Sequence, residues 1–395
     1  MELTRRRMLA LGGATLGAAV TGGGVWTAPA AAAGPRPNPS SPLWGRVRGA
    51  TTSDEVTDAD LAAFAATGGN VLRVAFTSRL MMSKTPPYAI NQEAFTRLDE
   101  ILDTCERLGL FVVVDPHTLP GLRDRFTTFP DDELWSDYKF HDLAEQLWSY
   151  IAERYKNRGK VILGYDLLNE PAVPDARADS GPASWNELAL RLTAAIRAHD
   201  TERHVLIGSP ISPSASGPLW LTRFSSINEL PPPPDNRVVI TPHMYVPHAF
   251  TQQGVAYPLG PEYPGLVQGQ NWEGLPPEVF FDRKMLYDFM SPALDYMDKY
   301  KVPIFVGEFS AARWTGDSGN RYLADCIRFF EQYGWSWAYH AWREYQGWDA
   351  ERNNYDMADE TRYETTPRLE LLKKYYARNQ PDVVPWVPSL KNLGR

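Results

Sequence analysis

Cysteine is nearly absent from this chain of 395 residues, with two in all, and a fold stapled by disulfides is thereby excluded. A surplus of positive charge is missing as well: 40 basic side chains stand against 48 acidic ones, a net −8 at pH 7. Nucleic-acid phosphates and anionic membranes would both repel such a chain, and a neutral or cationic ligand suits it better. Past the N-terminal stretch, no apolar run is long enough to span a bilayer. Collagen-like and heptad periods are absent, and so is any shorter repeat. What is present is ordinary for a large globular protein. Hydrophobic residues make up 43% and charged ones 22%, and 13 Trp, 19 Tyr and 16 Phe argue against disorder.

The first residues stand apart from that globular part. Thr4-Arg5-Arg6-Arg7-Met8-Leu9-Ala10 leads into a weakly apolar, Gly/Ala-rich stretch that reaches Ala30-Ala31-Ala32-Ala33. Paired arginines, a modest apolar region and a small-residue cleavage site resemble a bacterial twin-arginine export signal over residues 1–33. The other reading is an uncleaved anchor, which a Gly-rich stretch serves poorly. Cleavage removes three arginines and one glutamate, so the mature chain is more acidic still. The twin-arginine route exports folded cargo, leaving a secreted chain with no membrane contact. Cys105 and Cys326, far apart in helix-like segments, then read as two buried thiols. Residues 34–42 read as a solvated linker, 43–380 as one folded domain and 381–395 as a Pro-containing tail.

Within the domain, short β-branched or aromatic runs alternate with longer amphipathic ones, the rhythm of βα units around a parallel sheet. Strands are expected at 44–51, 70–76, 110–115, 161–169, 204–209, 237–244, 303–308 and 335–342. Helices are expected at 57–67, 92–108, 137–156, 184–199, 279–300, 319–333 and 367–378, with a weak candidate at 217–229. Eight such units point to an α/β fold, a single (β/α)8 TIM barrel. An open doubly wound sheet would want a Gly-rich phosphate turn after its first strand, and Arg48-Gly49-Ala50-Thr51 offers none.

In a barrel of this kind, chemistry gathers at the C-terminal ends of the strands. Strand two carries Arg73 inside an apolar run, and an unpaired buried guanidinium is expensive, so it should meet a carboxylate. Strand three ends Val114-Asp115-Pro116-His117, strand four Leu168-Asn169-Glu170-Pro171, and strand six Thr241-Pro242-His243-Met244-Tyr245. Strand seven ends Phe305-Val306-Gly307-Glu308, and strand eight runs through Trp337 and His340 to Trp342. Each group taken singly could be a loop salt bridge or a satisfied structural hydrogen bond. All of them at one rim are harder to explain that way.

These residues resemble glycoside hydrolase family 5, the cellulase-type retaining enzymes built on a (β/α)8 barrel. In that family an Arg on strand two, a His after strand three, Asn-Glu on strand four, His-x-Tyr on strand six, a Glu on strand seven and a Trp on strand eight recur in order. Arg73, His117, Asn169, Glu170, His243, Tyr245, Glu308 and Trp342 fill those places, and the resemblance covers about Trp44 to Asn379. It implies a β-glycoside hydrolase acting by double displacement on a carbohydrate, with no cofactor and no metal, as a monomer. Glu170 would be the general acid, kept protonated near neutral pH, and Glu308 the nucleophile, held ionised by Arg73 and Tyr245. Asn169 would grip the sugar 2-hydroxyl, His117 and His243 would bond hydroxyls or Glu170, and Trp342 would form the floor beneath the ring.

Two rivals are a metal-dependent barrel hydrolase and a glycan-binding barrel without activity. The first could use Asp115, His117 and His243, but Arg46-Val47-Arg48 and Asp166-Leu167-Leu168 lack the usual His-x-His and bridging Lys. The second would not need both glutamates. The long loop between Tyr245 and Glu278, with Tyr257, Tyr263 and Trp272, is expected to wall one end of the cleft, and Phe126, Phe129, Trp135 and Tyr138 the other. Two walls favour a short oligosaccharide or a chain end. The family spans glucan- and mannan-cleaving enzymes as well as exo-acting and glycolipid-cleaving ones.

Overall fold

The computed structural model describes residues 46–123, 129–213 and 220–379. The expected signal, linker and tail, and Phe126, lie outside the described residues.

Eight parallel strands form the centre: β1 Arg48–Ser53, β2 Val71–Ala75, β3 Phe111–Asp115, β4 Ile162–Asp166, β5 His204–Gly208, β6 Val238–Thr241, β7 Phe305–Val306 and β8 Ser336–His340. Each pairs with its neighbours in sequence, and β8 returns to β1 with Thr51 opposite His340. Ile240 bridges to Ile304 in parallel, closing the ring between β6 and β7. The closure continues beyond a break at Pro242 and Gly307, where Glu308–Phe309 pairs with His243–Met244. This is the expected (β/α)8 barrel.

The sequence alternation explains its interior. Val47, Val71, Val113, Leu163, Leu206, Val239, Phe305 and Ala338, one residue from or beside each strand, pack together as a layer inside the barrel. Arg73, two residues beyond Val71, faces the same interior one step higher. On β4 the pairing with β3 shifts register after Val112, so Leu163 and Asp166, three apart, both turn inward.

The helices lie outside: α1 Asp58–Ala66, α2 Gln92–Leu108, α3 Tyr138–Tyr155, α4 Trp185–Arg197, α5 Arg283–Met290, α6 Pro292–Tyr300, α7 Gly316–Tyr333 and α8 Pro367–Tyr376. In α2, Phe95, Leu98, Ile101, Leu102 and Cys105 recur at helical spacing and bury one face. Each such side chain contributes about 1.5–3 kcal/mol by leaving water. Asn91 caps its start, and Gly109, at φ 70, ends it in the left-handed conformation.

Three expectations shift. The helix expected at 279–300 divides at Pro292, which has no N–H to continue α5 and opens α6 instead. Its first residues, Val279–Phe281, are β-branched and aromatic and pair with Gly265–Val267 as a hairpin. The candidate at 217–229 is a two-residue strand, Trp220–Leu221, followed by a short 3-10 turn, Ser226–Glu229. Cys105 and Cys326 are both free and buried.

Candidate active site

At the C-terminal end of the barrel, Arg73 is fully buried and spreads its guanidinium over four partners. Nε donates to Asp166 Oδ2 at 2.7 Å, Nη1 to Glu308 Oε1 at 2.8 Å and Nη2 to Asn169 Oδ1 at 3.0 Å. Asp115 Oδ2 lies 3.0 Å from the same Nη2. The planar fork suits this task as no ammonium could. The charge in an apolar run therefore has its carboxylates, three of them.

Burial pushes Asp166 up to about 6, with the charge of Asp115 adding to the rise and Arg73 opposing it. Burial also pushes Asp115 upward, but Arg73 and His117 outweigh it and its pKa is lowered. His117 Nδ1 donates to Asp115 Oδ2 at 2.6 Å, and although burial lowers the ring's pKa, the Asp115 charge raises it on balance.

Above Arg73 sit the two glutamates. Tyr245 donates its hydroxyl to Glu308 Oε2 at 2.8 Å, so both oxygens of Glu308 are held. His243 Nδ1 donates to Glu170 Oε1 at 2.9 Å and lies 3.7 Å from Glu308 Oε2. Gly307 makes this approach possible, because a Cβ there would lie 2.7 Å from Thr241 Oγ1 and 2.9 Å from His243 Nε2. Oxygens of Glu170 and Glu308, with a nitrogen of His243, lie within 4.8 Å of one another. The spacing would suit a divalent ion, but Arg73 on Glu308 and Arg223, 3.4 Å from Glu170, already put positive charge there.

Glu170 has φ +47 and His117 φ +65, left-handed values that cost a non-glycine residue about 1–3 kcal/mol and that accumulate at functional sites. A narrow cleft beside the pair is lined by Arg223, His243, Tyr245, His248 and Trp272. A larger one of about 230 Å³, lined by Pro232, Asp235, Tyr300, Lys301 and Pro303, sits at the opposite strand ends and has no carboxylate pair.

Residues 37–346 match the cellulase model, glycosyl hydrolase family 5. The chain belongs to that family. It is a cellulase-like glycoside hydrolase, an enzyme acting on O-glycosyl bonds of glycans. Endoglucanase C of Acetivibrio thermocellus is 26% identical over 296 residues, covering 70% of this chain and 81% of that protein. Cellodextrinase A of Ruminococcus flavefaciens is 25% identical over 224 residues, 56% of this chain and 59% of the relative. Among solved structures, Thermotoga maritima Cel5A in complex with cellobiose superposes with a TM-score of 0.60 at 24% identity, over 85% of this chain and 100% of that one.

Within this family 5 barrel, seven of the sequence-derived positions converge: Arg73, His117, Asn169, Glu170, His243, Tyr245 and Glu308 are linked by the contacts above. Trp272 stands at the cavity wall with its ring centroid 4.5 Å from His248. Trp342 does not join them. It is buried, its indole donates to the Asp60 carbonyl at 2.9 Å, and it packs on Phe64 with centroids 5.4 Å apart. The chain leaves β8 after His340, so the alternation that would carry residue 342 inward ends there. His340 is the β8 side chain that enters the site, its Nδ1 2.6 Å from the Tyr245 oxygen.

The surroundings of Glu170 in the free site oppose the protonation expected of it. Burial raises its pKa, but Arg223 and the hydrogen bond and charge of His243 outweigh burial and lower it to about 2. Glu308 is lowered too, with burial opposed by His243, His340 and Arg73. Burial and the Glu308 charge push Tyr245 upward, so it remains a phenol and a donor.

The expected walls also change. Tyr263 is buried, its hydroxyl bonded to Asp325 Oδ2 at 3.0 Å, and it anchors the 246–278 loop to α7. Trp135 is a core residue set edge-on to Trp185, and Tyr138 points outward, with its hydroxyl on Glu187. Arg223, Asp166 and His340 are the site residues that motif reading passed over. Asp166 lies within the apolar run of β4 and Leu167-Leu168 as Arg73 lies within that of β2, a signal that was present. Arg223 sits in an irregular segment and had none.

Proposed function

We propose that this enzyme is a retaining β-glycoside hydrolase in which Glu308 is the nucleophile and Glu170 the acid and base. The observation that carries the reading is that an oxygen of Glu170 and an oxygen of Glu308 lie within 4.8 Å of each other. Retaining pairs stand about 5–5.5 Å apart, whereas inverting pairs leave about 6.5–9.5 Å for a water. In the first step Glu308 Oε attacks the anomeric carbon, the glycosidic bond breaks, and Glu170 gives its proton to the departing oxygen. In the second, Glu170 takes a proton from water, the water oxygen bonds to the same carbon, and Glu308 leaves as a carboxylate.

Glu170 must gain a proton before the first step. A glycan lying between it and Arg223 raises its pKa, by replacing a guanidinium with a neutral ether oxygen while Glu308 remains charged close by. Arg73 and Tyr245 keep Glu308 ionised and fixed, Asn169 is oriented by Arg73 toward a sugar hydroxyl, and Trp272 offers a stacking face at the cavity. A β-linked glucan or mannan is the substrate class, supported by the endoglucanase and cellodextrinase relatives. The domain boundaries at 33, 42 and 380, monomeric behaviour and twin-arginine export belong to the same reading. One curated relative, 26% identical over 208 residues, is the major extracellular endoglucanase of Xanthomonas campestris. Replacement of Arg6 and Arg7 by Lys should hold the protein inside the cell.

Glu308→Ala and Glu170→Ala each remove turnover on this reading, and added azide rescues Glu308→Ala with an inverted glycosyl azide. Near-wild-type turnover in either variant would overturn it.

A further inference from the structure

We infer that His340 and Glu344 form a positioning pair that acts through Tyr245 to hold the nucleophile Glu308 in one orientation. Hydrogen-bond accounting leads there. The Tyr245 hydroxyl has one proton, and it goes to Glu308 Oε2 at 2.8 Å. The Tyr245 oxygen itself lies 2.6 Å from His340 Nδ1, so Nδ1 must carry a proton and donate it. On the other side of the ring, Nε2 faces Glu344 Oε2 at 3.4 Å. A bare Nε2 would set its lone pair against a carboxylate. With the phenol oxygen at Nδ1 and a carboxylate facing Nε2, the surroundings favour the imidazolium form of His340.

Glu344 Oε2 is buried and hydrogen-bonded to no other described residue, so the 3.4 Å ion-pair contact with the ring is its near polar neighbour. The neighbouring Arg343, at φ +50, turns the other way to Asp60 Oδ1 and Glu351 Oε1, each at 2.7 Å, and pins the turn that presents Glu344 to the ring. The charged and titratable groups around His340 come from several elements. Tyr245 and Glu308, the latter 3.8 Å from Nδ1, follow β6 and β7, and Arg73 lies on β2. From β1 the cross-strand neighbour is the uncharged Thr51, and Trp348 covers the ring at 6.4 Å. Burial opposes the charge, but Glu308 and Glu344 outweigh it and push the ring up to about 9.

The consequence is directional. While Nδ1 keeps its proton, the Tyr245 hydroxyl can point only at Glu308. Once Nδ1 loses it, the ring becomes an acceptor, the hydroxyl can swing to His340, and Glu308 Oε2 loses its bond. The alkaline limit of the glycosylation step is then set by His340 and, through it, by Glu344.

The inference rests on Glu308 being the nucleophile, so its test is separable from that one. The pH profile of kcat/KM is measured on a dinitrophenyl β-glycoside, whose leaving group needs no proton from Glu170, beside 15N titration of His340 assigned with His340→Gln. The expected result is a doubly protonated ring at pH 7 and a kinetic alkaline limb that coincides with its titration. Glu344→Gln should lower both together by about 1–3 units, as removal of an adjacent opposite charge does, and Glu344→Asp should restore most of the shift. A neutral ring at pH 7, a titration unmoved in Glu344→Gln, or a limb that stays while the titration moves would each overturn it. The wild-type comparison decides the matter even if Glu344→Gln fails to fold. Failure of azide rescue would instead remove the nucleophile assignment.

Discussion

Arg73 Nη1 lies 2.8 Å from Glu308 Oε1 in a site where neither group has appreciable contact with solvent. The same guanidinium serves Asp115 and Asp166, so its removal strands three carboxylates at once. Arg73→Met should destabilise the fold by about 3–5 kcal/mol, the usual cost of an uncompensated buried charge. Urea unfolding measures it. A loss below about 1 kcal/mol would show that the carboxylates share protons once the cation is gone.

Glu170 links stability to acid. Its folded pKa of about 2 lies below the ordinary value of 4.5, so the folded state favours the carboxylate. The stabilisation is fully present above about pH 4.5 and is lost as pH falls toward 2. Glu170→Gln should therefore show a shallower fall of Tm between those limits. Asp166 acts in the opposite sense. Its folded pKa is raised to about 6, so the stability it contributes is lost as pH rises from about 4 to 6. Differential scanning calorimetry of both single variants, Glu170→Gln and Asp166→Asn, distinguishes the two slopes.

Arg223 governs the free-state acidity of Glu170 without touching Glu308. Arg223→Met should raise the Glu170 pKa by about 1–3 units. The alkaline limb of kcat/KM for a substrate with a poor leaving group should move upward with it. An unchanged limb would assign the acid role elsewhere.

The two tryptophans should behave differently. Trp272→Ala removes an aromatic face at the cavity and should cut kcat/KM on an oligosaccharide about tenfold, equivalent to about 1.4 kcal/mol. Its effect on a small aryl glycoside should be slight. Trp342→Phe keeps the packing on Phe64, loses the bond to the Asp60 carbonyl, and should cost about 1 kcal/mol of stability while KM is unchanged.

Gly307→Ala tests the close approach. The added methyl meets Thr241 and His243 below 3 Å. Overpacking of this kind costs about 1–3 kcal/mol. Activity should fall further than stability does, since the side chain displaced is the one that holds Glu170.

Most of the barrel was legible because its strands are apolar, short and regularly spaced, and because Arg73 is a charge with no excuse in such a run. Asn169-Glu170 and Gly307-Glu308 were legible for the same reason, as polar endings of buried strands. His340 and Trp342 were confused because alternation says nothing once the strand has ended, and both have the same parity. Arg223 is brought to Glu170 by chain folding across 53 positions of sequence. The free-state protonation of Glu170 depended on that neighbour, so it could not be read without it.

The layer of eight side chains beneath Arg73, of which Phe305 is the bulkiest, seals the barrel from below. Sugar, leaving fragment and attacking water must all pass through the upper mouth. On the double-displacement reading, the departing fragment and the incoming water share that mouth, so the two steps queue at one door. A fragment slow to leave would be positioned to accept the glycosyl group itself.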